Sequence, residues 1–82
     1  MSQTADTEAL VRYVVTSLVD TPDSVTIEVK EADDTLTFEI TLDPEDVGKV
    51  IGRQGRIIKA IRTLARAAGS TAGKQVEVEV LG

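Results

Sequence analysis

The 82 residues, 41% of them hydrophobic, suffice for one small domain with a thin core, and not for a deep enclosed active site. Fourteen acidic residues against nine basic ones give a formal net charge of −5, and the chain has neither cysteine nor histidine. Disulfides, thiolate metal sites, the commonest general base and the commonest transition-metal ligand are therefore all excluded, which favours binding over catalysis and calls for no cofactor.

No run approaches the roughly 18 to 20 apolar residues that span a bilayer. Asp6 and Glu8 stand where a secretory leader would carry basic residues. The expectation is a cytoplasmic protein, folded as a single domain over 1–82 with an ordered core from about 7 to 81.

From about Thr7 to Val19, Leu10, Val11, Val14, Val15, Leu18 and Val19 recur at helical spacing, with Arg12 and Tyr13 off the stripe. Asp20-Thr21-Pro22-Asp23 breaks that helix, because proline disfavours helical geometry in the residue before it. Ser24 to Glu31 alternates, with Val25, Ile27 and Val29 on one side and Thr26, Glu28 and Lys30 on the other. After a turn at Ala32-Asp33-Asp34-Thr35, Leu36, Phe38, Ile40 and Leu42 alternate with Thr37, Glu39 and Thr41. Two half-buried strands joined so closely make a hairpin.

Asp43-Pro44-Glu45-Asp46 opens the next helix, with Asp43 as the cap, Pro44 at the first helical position and two acids at the positive end of the dipole. Gly52 ends this short helix after Val47, Val50 and Ile51. A further helix runs from near Gly55 to Ala68, with Ile57, Ile58, Ile61, Leu64, Ala65 and Ala68 on its apolar face and Arg56, Lys59, Arg62 and Arg66 opposite. Gly69 to Gly73 reads as a connector, and Val76, Val78 and Val80 alternate with Gln75, Glu77 and Glu79 in a last strand.

The order is helix, strand, strand, helix, helix, strand. Each strand has one apolar face, so three helices should cover one side of a three-stranded mixed sheet, a two-layer α+β sandwich. The hairpin strands pair antiparallel, and the helical crossover makes the second and third strands parallel with a right-handed connection.

Charge is segregated along the chain. Residues 1 to 46 hold twelve carboxylates against Arg12 and Lys30. Residues 49 to 74 hold Lys49, Arg53, Arg56, Lys59, Arg62, Arg66 and Lys74 and no carboxylate. Such a basic half in an acidic chain points to an anionic partner. Gly52 and Gly55 bracket Arg53-Gln54 at its centre, where missing side chains let a ligand backbone come close. The helix that starts there offers free N–H groups and a dipole to a phosphate.

Val50-Ile51-Gly52-Arg53-Gln54-Gly55-Arg56-Ile57-Ile58-Lys59-Ala60-Ile61 resembles the KH-domain signature, an Ile-Gly-x-x-Gly loop followed by spaced isoleucines. The element order resembles the bacterial type II version of that fold, and the whole chain is similar to the small single-domain KhpA-like family. The resemblance implies a single-stranded RNA-binding protein without catalysis, its loop holding about four nucleotides by their backbone. It places Gly52, Arg53, Gln54 and Gly55 at the sugar-phosphate chain, with Lys49, Arg56 and Lys59 bordering it. Val47, Gly48 and Ile51, with Ile58 behind the loop, would floor a groove for the bases. It further implies an RNA chaperone or post-transcriptional regulator linked to cell elongation and envelope growth, paired with itself or with a larger KH-containing RNA-binding protein.

Other readings stand beside this one. The glycine pair could be only a helix C-cap and turn, and the cationic helix face only a solvated surface. Tyr13 and Phe38 read as helix and core residues, so stacking of bases on aromatics is largely missing and weak, weakly sequence-specific binding is expected. Asp33-Asp34 and Glu45-Asp46 could pair for metal or acid–base work, although turn chemistry and capping account for both. Gly48-Lys49 lacks the lead and the hydroxyl of a phosphate-binding P-loop. The rivals are a protein-interaction adaptor with little nucleic-acid affinity and a binder of single-stranded DNA.

Overall fold

The strict alternation of the three strands decides the architecture, because it gives one sheet an apolar face and a polar face. The computed structural model describes residues 3–69 and 75–81. Helix α1 (Gln3–Leu18) leads through a 3-10 turn (Pro22–Ser24) to strands β1 (Thr26–Ala32) and β2 (Thr35–Thr41). A second 3-10 turn (Pro44–Asp46), the short helix α2 (Val47–Ile51), a third 3-10 turn (Arg53–Gly55), helix α3 (Arg56–Gly69) and strand β3 (Gln75–Leu81) follow.

The sheet order is β1-β2-β3, antiparallel between β1 and β2 and parallel between β2 and β3, as the sequence predicts. Ile27, Leu36, Phe38, Ile40, Val76 and Val78 face the helices and join Val11 and Val15 of α1, Val50 of α2, and Ile58, Ile61 and Ala65 of α3 in one core. Phe38 lies at the middle of the central strand and is completely buried. The polar face carries Glu28, Glu39 and Glu79 in one row across the strands. Like charges so placed repel, and Lys30, 3.1 Å from Glu39, offsets part of that.

The structure departs from the sequence reading at several places. Helix α1 begins at Gln3, not near Thr7: no breaker precedes Thr7, Asp6 suits the first turn, and Thr7 is itself buried. Strand β1 begins at Thr26, because the N–H groups of Ser24 and Val25 bond back to Thr21 and Pro22. Leu64 is 47% exposed instead of lying on the apolar face of α3. The buried stripe is Ile58, Ile61, Ala65 and Gly69, and Leu64 sits about 100° around the helix from it. Gly69 belongs to α3, while the rest of the expected connector (70–73) and Lys74 lie outside the described residues.

Gly69 is fitted to β3. A β-carbon built there collides with Cγ2 of Val76, a core residue with a stiff branched side chain. Gly69→Ala would gain about 1 kcal/mol of helix propensity, yet the overpacking should outweigh it and leave a net loss of about 1–2 kcal/mol. A lower denaturant midpoint at unchanged slope is the expected result.

Candidate nucleic-acid interface

The glycine loop is a tight turn made almost entirely of left-handed backbone. Gly52 has φ 78°, Gln54 φ 58° and Gly55 φ 73°. The N–H of Gly52 donates to the Gly48 carbonyl and closes α2, and the N–H of Gly55 donates to the Gly52 carbonyl. Helix α3 then starts at Arg56 with no acidic residue in its first turn, so no local carboxylate neutralises the positive end of its dipole.

The two glycines have different reasons to be glycine. A β-carbon on Gly52 would stand 2.5 Å from Cγ1 of Ile57, so the fold itself forbids a side chain there. At Gly55 the nearest atom to such a carbon is 3.9 Å away, and Gly48 has nothing within 4 Å. These two positions open outward, and only conformation or an external ligand constrains them. Gln54 holds a left-handed conformation without being glycine, a cost of about 1–2 kcal/mol. Its Oε1 accepts from Arg56 Nη2 at 3.3 Å.

Of the residues expected to form the groove, Val47 and Ile51 are half-buried against the core, Gly48 is exposed and Ile58 is buried behind the loop. Arg53, Arg56 and Lys59 are exposed, and among the described residues none of them forms an ion pair. Arg66, farther along α3, is likewise exposed and unpaired there. Arg62 is different: its Nε donates to the Val78 carbonyl at 3.3 Å and ties α3 to β3.

Lys49 is not among the free cations. Its ammonium bonds Asp46 Oδ1 at 2.9 Å and Asp20 Oδ2 as well. Asp46 is only 2% exposed, and its other oxygen accepts the Thr21 backbone N–H at 3.1 Å. The sequence treats Asp46 as a surface helix-start acid, yet it is a buried anchor. Only the pairing with Asp20 and Thr21, distant in the chain, reveals that. Asp43 does cap as expected, accepting the Glu45 N–H at 2.9 Å. Asp33 occupies a left-handed turn position.

The Lys49 hydrogen bond holds the Asp46 carboxyl below the usual range; burial opposes this, and the backbone N–H groups of Thr21 and Asp20 add to it. Lys49 is correspondingly raised, first by its bond to Asp20 and then by Asp46. A carboxyl depressed on folding contributes stability that is present above its unfolded pKa and is lost as pH falls through the folded one. Stability should therefore drop below about pH 4, and Asp46→Asn should flatten that drop in denaturant titrations between acid and neutral pH. The loop gives a second expectation. Gly55→Ala, which meets only backbone strain, should cost about 1–2 kcal/mol. Gly52→Ala, which adds the collision with Ile57, should cost about 3 kcal/mol or more, so thermal melts should rank the two clearly.

Comparison with known proteins agrees with this geometry. The family model described as "KhpA/KhpB, KH domain" matches residues 8–80. RNA-binding protein KhpA of Listeria monocytogenes is 46% identical over 74 residues, covering 90% of this chain and 97% of that protein. RNA-binding protein KhpA of Lactiplantibacillus plantarum is 42% identical over 76 residues, covering 93% of this chain and 89% of that protein. Among solved structures, Era in complex with MgGDPNP and nucleotides 1506–1542 of 16S ribosomal RNA matches with a TM-score of 0.58 at 26% identity. That match takes in 87% of this chain and only 28% of the Era chain. A point variant of Aquifex aeolicus Era bound to GDP.AlF4- matches with a TM-score of 0.57 over the same shares. A type II KH topology, a left-handed Gly-x-x-Gly turn and relatives matched over nearly their whole length lead to one assignment: this chain belongs to the KhpA/KhpB KH-domain family.

Proposed function

We propose that this protein binds single-stranded RNA without catalysing a reaction on it. The observation that carries the reading is the turn at Gly52–Gly55. Backbone there is reachable because Gly55 opens outward; the first turn of α3 holds no acidic residue, and Arg53, Arg56 and Lys59 stand exposed with no ion pair among the described residues. An RNA backbone supplies the phosphates such a turn accepts. Val47, Gly48 and Ile51, backed by Ile58, floor the adjoining groove. Relatives named as RNA-binding proteins and the RNA-bound Era structure support the same ligand.

Affinity in one domain is weak, because the aromatic side chains offer little stacking. Phe38 is buried in the core, and Tyr13, 72% exposed, stands on α1, outside the Gly52–Gly55 turn. Pairing with a second copy or with a larger KH-containing protein would raise it through effective concentration. On this reading the protein acts in the cytoplasm as an RNA chaperone or post-transcriptional regulator, and the process it serves is cell elongation and envelope growth. Among the described residues no helix is long and apolar enough to cross a membrane.

Fluorescence anisotropy with labelled single-stranded RNA, DNA of the same sequence and a duplex tests the proposal. Saturable binding to single-stranded RNA is expected, with a log–log salt slope near −0.7 per phosphate and about three to five phosphates contacted. Arg53→Asp with Gln54→Asp should abolish binding while the fold survives. A double mutant that binds as well as the parent would remove the loop from the mechanism. Equal affinity for DNA would make the protein a general single-strand binder. No binding at high micromolar concentration would leave the adaptor reading, for which Tyr13, Leu64 and Leu81 are the large exposed apolar side chains among the described residues.

A further inference from the structure

We infer that Asp46 positions the RNA-binding wall of α2, latching it through Lys49 to Asp20 and Thr21, and that Lys49 acts inside this latch instead of on the RNA. The inference rests on the RNA-binding reading and assigns roles within it.

The wall needs an external hold. Helix α2 has five residues, Val47–Ile51, too few to keep an orientation by their own hydrogen bonds. Val50 anchors its core side, and the Asp43 cap acts one turn earlier, on Glu45. What ties α2 to the segment between α1 and β1 is the buried carboxylate. Asp46 uses both oxygens, Oδ1 for Lys49 and Oδ2 for the Thr21 N–H. The same lysine reaches on to Asp20, 29 residues away in sequence. Removing the lysine would leave the Asp46 carboxylate poorly satisfied at a buried place, and removing the Asp46 charge would leave the part-exposed lysine held by Asp20 alone.

Geometry and charge both turn Lys49 away from a phosphate. At helical spacing it lies about 150° around α2 from the middle of the Val47–Gly48–Ile51 wall. Its ammonium has three donors, and two are directed at carboxylates. Asp20, Lys49 and Asp46 together carry a net negative charge, so a phosphate approaching this trio is repelled. Arg53, Arg56 and Lys59 meet no such competition among the described residues.

The test measures affinity for a labelled single-stranded RNA across a salt series, in the full chain. The variants are Asp46→Asn, Lys49→Met, the two combined, Asp20→Asn and Lys49→Arg. Asp46→Asn and Lys49→Met should each weaken binding about three- to tenfold, and the double variant should bind no worse than the weaker single, as members of one unit do. The salt slope should stay at the parent value in all of them. Lys49→Arg, which can make both ion pairs, should restore binding to within about twofold of the parent. Should Asp46→Asn fail to fold, Asp20→Asn decides, since it loosens the latch from its exposed end and should weaken binding about twofold. A slope lowered by about 0.7 in Lys49→Met would show the lysine on a phosphate and overturn the inference. Parent-like affinity in Asp20→Asn together with Lys49→Met would overturn it too. An unmodified parent that does not bind RNA brings down the RNA-binding reading first, and the latch role with it. That failure shows in the parent and is distinguishable from failure of the latch.

Discussion

The side chain of Ile57 fills the space that a β-carbon on Gly52 would need, and the rest of the candidate site depends on that contact. It lets α2 stop and α3 start within a few residues, with the turn folded back on the first apolar residue of the new helix. The cost is a run of left-handed backbone through Gly52, Gln54 and Gly55. Two glycines make that run nearly free of strain, and Gln54 bears what strain remains. A turn so compact leaves backbone without a side chain at Gly55, beside the positive end of a helix. The same feature that makes the loop possible is the one on which the proposed binding of an RNA backbone rests.

The packing of α2 and α3 then decides what each cation can do. The sequence presents the basic half as one continuous patch, and the fold sorts it. Lys49 is paired with Asp46 and Asp20, and Arg62 reaches the backbone of β3. Arg53, Arg56, Lys59 and Arg66 remain at the surface. On the opposite layer, Glu28, Glu39 and Glu79 form a row with Lys30 as partial compensation. A polyanion therefore meets a negative sheet face and a positive helical edge on one small body. On the proposed reading, that contrast would orient its approach toward the loop even though the protein is acidic as a whole.

Much of this was legible in the chain because its information is local. Alternation over Thr26–Ala32, Thr35–Thr41 and Gln75–Leu81 can be satisfied only by strands with one buried face. The proline after Asp43, the glycine after Ile51 and the 3.6-residue stripe of α3 set the helices with the same directness. The strand pairing followed from loop lengths, since a tight turn forces an antiparallel pair and a helical crossover allows a parallel one. Gly-x-x-Gly with its flanking isoleucines identified the loop.

What the chain could not show is which residues far apart in sequence meet. Asp46 looks like any acid at a helix start until Thr21 and Asp20 are brought beside it. Leu64 looks like a core residue until the exact rotation of α3 on the sheet leaves it near the surface. Gly52 and Gly55 look equivalent until Ile57 closes over one and not the other. The sequence by itself determined the elements, their order, the sheet topology and the position of the loop, because hydrophobic period and backbone restriction act over a few residues. Only the tertiary structure decided which charges are spent inside the protein and which remain for a partner, because ion pairing and steric contact depend on distances that the fold alone sets.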